Sequence, residues 1–166
     1  MPIIRNKWAR RILTAVALVL LLDAGWRLAQ YFQKPDIPAG MRETVWLTPE
    51  PDCNVTERIC QATGPDVRLR LQLGPPVSVM RSFPIRVKLD GDYGEVEQVS
   101  VLFTMEGMNM GLNWYRLKEG RAGRWIGQAM LPVCTSGRTD WIARVSVRAG
   151  RRDWKVEFPF EAESLE

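Results

Sequence analysis

Met105-Glu106-Gly107-Met108-Asn109-Met110-Gly111 is the one local cluster in this sequence whose residue types could do chemistry. Alternate side chains of an extended segment point the same way, so Met108 and Met110 would present two thioethers to one side. Gly107 and Gly111 let the backbone bend around them. Soft sulfur donors select copper(I) among biological metals, and copper(I) does not require imidazole. Met130 and Cys134, in Ala-Met-Leu-Pro-Val-Cys, would add soft donors if that segment folds nearby. Met105 continues the inward face of Val99, Val101 and Phe103 and is assigned to the core. The competing account of Met108 and Met110 is that methionine fills irregular gaps in a core.

The chain has 166 residues and no histidine. That removes the Ser-His-Asp triad, the Cys-His pair, His-ligated zinc and ordinary copper(II) sites. No Asp/Glu pair has motif spacing. Glu106, beside the methionines, reads as a solvated loop carboxylate. The expectation is a binding module and not an enzyme.

Three cysteines are present, Cys53, Cys60 and Cys134. An oxidising compartment would pair two of them. The short spacing favours Cys53 with Cys60, a bridge worth ~2.5 kcal/mol by loop-closure entropy. Pairing either with Cys134 is the alternative, and would remove Cys134 from the donor list. With no C-x-x-C, thioredoxin-type chemistry is not expected. Asn54-Val55-Thr56 matches a glycosylation sequon and is taken as a chance match.

The elements that must position these residues read as strands. From Val67 onward the dominant period is two. Leu69 and Leu71 alternate with Arg68 and Arg70, Val87 with Arg86 and Lys88, and Val145 with Arg144 and Ser146. Val101, Phe103 and Phe158 complete the expected inner faces. Short strands are expected at 113–118 and 124–131, and a lead-in strand over Thr44–Leu47. Pro159 marks the last strand as an edge or its end. About seven short strands separated by turn signals imply a mainly β fold, an immunoglobulin-like two-sheet β-sandwich. A small barrel is the runner-up.

The N-terminal segment differs in kind. Arg5-Asn6-Lys7-Trp8-Ala9-Arg10-Arg11 precedes an apolar run from Ile12 to Leu22. A basic flank before an apolar core orients the N-terminus to the cytoplasm. A cleaved signal peptide needs small residues at −3 and −1. Cutting after Ala29 or Gly25 puts Arg27 or Asp23 at −3. The favoured organisation is a cytoplasmic basic tail (1–11), a transmembrane anchor (12–32), a linker (33–43) and a periplasmic β-sandwich domain (44–166). Asp23 is costly within a span, and Arg27 at i+4 is its expected partner.

The formal net charge is +4. Residues 1–34 hold six cations and one carboxylate, leaving 17 cations and 18 carboxylates for the rest. The excess belongs to the tail, so no nucleic-acid partner is expected.

The N-terminal anchor, C-x6-C, the Gly-Met-Asn-Met-Gly-Leu-Asn motif and the later Leu-Pro-Val-Cys before a Trp strand resemble a family of uncharacterised bacterial inner-membrane proteins. More loosely, residues 50–160 are similar to FixH-like and YtkA-like periplasmic domains. The resemblance implies a sandwich fold, copper handling and a link to assembly of haem-copper oxidases. Copper-linked members of those groups often use histidine beside methionine; the lack of it here leaves copper(I) alone. A metal-free function is the alternative, with Met108-Asn109-Met110-Gly111-Leu112-Asn113-Trp114-Tyr115 docking a membrane complex.

Overall fold

The computed structural model describes residues 7–32 (side chains of 12–27), 42–108, 111–134 and 136–164. The chain divides into two compact units, Met1–Asp36 and Ile37–Glu166.

In the first unit, helix α1 spans Lys7–Phe32, 26 residues. Its residues from Ile12 to Leu22 are apolar nearly all round, and the large ones are exposed, Leu21 at 73%. Asp23 ends the run and accepts a 2.9 Å hydrogen bond from Arg27 Nε, the expected i+4 pair. Among the described residues, no helix is long and apolar enough to cross a membrane. Within the expected anchor over 12–32 the described side chains are those of 12–27.

The second unit is built of strands: β1 (Glu43–Trp46), β2 (Thr48–Pro49), β3 (Cys60–Thr63), β4 (Val67–Leu73), β5 (Ser82–Gly91), β6 (Val96–Thr104), β7 (Trp114–Arg116), β8 (Lys118–Glu119), β9 (Arg124–Met130), β10 (Asp140–Ala149) and β11 (Arg152–Glu161). They form a five-stranded sheet, β1-β11-β10-β6-β7, and a six-stranded sheet, β2-β3-β4-β5-β9-β8. All pairings are antiparallel except β1 with β11. The two inner faces share one core. Leu69, Leu71, Val87, Val101, Phe103, Val145 and Phe158, the expected inner set, are all at most 1% exposed.

Two chain segments pass from one sheet to the other, as strands do at the corners of a sandwich. β1 leaves the five-stranded sheet and becomes β2 of the other at Leu47; β7 becomes β8 at Leu117. Both leucines are buried, and each lies over a glycine. A Cβ on Gly64 would meet Leu47 Cδ2 at 2.5 Å, and one on Gly127 would meet Leu117 Cδ2 at 2.5 Å. Pro159 lies inside β11, opposite Ile142 of β10. β1 covers β11 only as far as Lys155, so the missing N–H of Pro159 falls on an uncovered edge.

Cys53 and Cys60 form the favoured disulfide, with Cα atoms 5.7 Å apart. Between them Asn54 Oδ1 accepts hydrogen bonds from the Thr56 backbone (3.1 Å) and hydroxyl (2.8 Å), an Asx turn that compacts the loop.

Candidate functional site

The site residues meet because of one strand pairing. The end of β6 and the start of β10 are antiparallel neighbours, with Thr104 opposite Ile142. The chain leaving β6 and the chain entering β10 therefore share one end of the sandwich. The first carries Met105–Met108, the second Cys134–Arg138.

Alternation sends Met105 inward, to 3% exposure. The chain then reverses. Met108 N–H donates to Met105 O at 3.3 Å, closing a four-residue turn. Gly107 takes φ +71° while Glu106 does not take positive φ, a type II turn, whose third position favours glycine. The reversal leaves Met108 half-buried, packed against the core rim.

Cys134 is the free cysteine among the described residues, at 5% exposure. Its Sγ lies 3.8 Å from Met108 Sδ and 2.9 Å from Ser136 Oγ. Ser136 Oγ is also 3.8 Å from Met108 Sδ, so two sulfurs and a hydroxyl form a compact triangle. Hydrogen bonds from the Ser136 side chain and backbone hold the Cys134 thiol below its usual ionisation range, with burial opposing and Arg138 assisting. Arg138 also ties the two segments together: Nη1 donates to Glu106 O at 3.0 Å, while Nε donates to Asp140 Oδ1 at 2.8 Å.

The other expected donors are placed differently. Met110 lies outside the described residues. Met130 is on the outer face of β9, 46% exposed, between inward-facing Ala129 and Leu131. Its backbone is what is engaged. Tyr115 Oη donates to Met130 O at 2.7 Å and accepts from Met130 N–H at 3.3 Å, joining the two sheets beside the site. Ser136 and Arg138 were missed at the level of sequence; Ser-Gly-Arg in a loop carries no motif that would single them out.

The donor set can be tested for fit. Metal–sulfur bonds near 2.3 Å at trigonal angles put two sulfurs about 4 Å apart, close to the 3.8 Å observed. A thiol disposed to ionise supplies the anionic donor, and the thioether a second soft one. Among the described residues, no group of three or more His, Cys, Asp or Glu is placed to hold a metal ion. Comparison with protein families, curated proteins and solved structures finds no match to this chain.

Proposed function

We propose that this chain is a binding module attached to the bacterial inner membrane by its N-terminal helix, with a periplasmic sandwich of immunoglobulin-like type that takes copper(I) at Cys134 and Met108. The observation that carries the reading is the 3.8 Å approach of a free thiol and a thioether from two separate loops. Met110, two residues beyond Met108, is the candidate third donor. Metal handling, including supply to a respiratory oxidase, is the role that the resemblance to FixH-like and YtkA-like domains implies for such a site.

Two features support the location. The large apolar side chains of Ile12–Leu22 are exposed around the helix, and a helix apolar all round needs an apolar environment. The basic residues before it set its direction. The Cys53–Cys60 disulfide suits an oxidising compartment.

The test is a copper(I) titration of the full chain in detergent against a competing chelator. One metal per chain is expected, and Cys134→Ser should abolish it. A parent chain that takes no copper(I) would defeat the reading. The exposed rim at this end of the sandwich, Leu112 at 90%, Val133 at 50% and Trp114 at 40%, then favours the second reading, a metal-free docking surface for a membrane complex. Location is tested separately: a reporter fused after Glu166 should be active only outside the cytoplasm, and the chain should stay with membranes after an alkaline wash.

A further inference from the structure

The outer face of the six-stranded sheet carries a concentration of cations that strand register creates. Arg70 stands opposite Lys88, and Lys88 opposite Arg124, a row of three across β4, β5 and β9. In the next row Arg86 stands between Gln72 and Ile126, with Lys118 beyond Ile126. Like charges directly opposite on a sheet destabilise it. One carboxylate offsets the row: Asp90 accepts from Arg70 Nη2 at 2.5 Å and lies 3.2 Å from Lys88 Nζ. Among the described residues, Arg86, Arg124 and Lys118 have no ion-pair partner, and Arg70 Nε is buried without an acceptor.

The outer face of the other sheet is balanced. There Arg144 Nη2 pairs with Glu157 at 2.6 Å and Lys155 with Asp153 at 3.6 Å, while Arg148, whose Nε is likewise buried without an acceptor, stands opposite Asp153 in the register. The cationic face also has an apolar component. Ile59 and Ile126, each more than half exposed, flank a groove of about 420 Å³ lined by Arg70, Arg86 and Arg124.

We propose that this face docks on anionic phospholipid, its cations on the headgroup phosphates and its two isoleucines at the acyl boundary. The proposal rests on the membrane-attached reading above. Unpaired cations among exposed apolar side chains are the chemistry that anionic bilayers attract. A lipid surface is favoured over an acidic protein because two exposed isoleucines stand among the unpaired cations, a mixture that matches acyl chains beneath headgroup phosphates. The docked face offsets the repulsion that the cation row imposes on the fold.

The experiment uses the full chain in vesicles of phosphatidylcholine, with or without phosphatidylglycerol. Flotation checks attachment, and mass spectrometry follows acetylation of Lys88 against Lys155 on the opposite sheet. Both vesicle types should carry the chain, and phosphatidylglycerol should slow labelling of Lys88 but not of Lys155. Arg86→Gln and Arg124→Gln should each reduce the docked-to-free ratio roughly fivefold, and added salt should reduce it further. Equal labelling of Lys88 in both vesicles, with the chain still floating, would overturn the docking proposal and leave attachment intact. Failure to float would overturn both. Equal protection by soluble glycerol phosphate in neutral vesicles would replace the lipid by a free phosphate ester and overturn the proposal as stated.

Discussion

Met108 Sδ lies 3.8 Å from Cys134 Sγ although 26 residues separate them in the chain. The contact follows from the pairing of β6 with β10, which draws the loop after one and the loop before the other to the same end of the sandwich. It separates the roles of neighbouring methionines, with Met105 in the core and Met108 on its rim beside a thiol.

Met108→Leu preserves approximate volume and apolar character, so stability should fall by less than about 1.5 kcal/mol. Copper(I) affinity should fall by about tenfold or more, because a CH group has no lone pair to donate. Met105→Leu is the control, with affinity unchanged. Chelator competition measures both, and equal affinity in Met108→Leu and the parent would remove this residue from the site.

Ser136→Ala removes the largest contribution that lowers the Cys134 ionisation. Ultraviolet thiolate absorbance should show the Cys134 midpoint below the ordinary thiol range in the parent and moved upward in the variant. The linkage has a definite sign. A thiol that ionises at lower pH when folded than when unfolded adds stability as pH rises from the folded value to the unfolded one. That contribution is complete above the unfolded value and lost as pH falls through the folded one. The parent should therefore gain stability relative to Ser136→Ala across that alkaline window, read from urea midpoints. A window identical in both proteins would remove Ser136 as the cause.

The double replacement Cys53→Ser, Cys60→Ser opens an eight-residue loop. Stability should drop by ~2.5 kcal/mol, measured by urea unfolding, while copper(I) stoichiometry stays at that of the parent. Loss of metal together with the disulfide would show that the lead-in loop contributes to the site.

Two glycine replacements should differ in cost. A Cβ on Gly74 would meet Pro84 Cγ at 2.3 Å and Cδ at 2.4 Å, ring atoms that cannot rotate away. Gly74→Ala should cost ~1–3 kcal/mol as an overpacked position. Gly127→Ala meets the free end of Leu117 at 2.5 Å, which can turn aside, so its melting temperature should fall less. The reverse order in a thermal scan would contradict this account of the two contacts.

What the sequence by itself determined is what depends on near neighbours. A period of two decides which side chains of a strand go inward, so Leu69, Phe103 and Val145 could be assigned to the core without knowing any strand's partner. The Cys53–Cys60 bridge was legible because a short loop makes the encounter of its ends cheap. β3 was not legible: its inward residues are Cys60 and Ala62, too few and too small to show a period. The tertiary structure alone decided what depends on pairing and register. The pairing of β6 with β10 brought Cys134 and Ser136 to Met108, and the pleat of β9 turned Met130 outward. Register also set Arg70, Lys88 and Arg124 in one row, within a region whose charges sum to −1 in the sequence. A sum over the chain carries no position, and long-range pairing is chosen by the packing of the whole core, so neither the sulfur pair nor the cationic face could be read from local pattern.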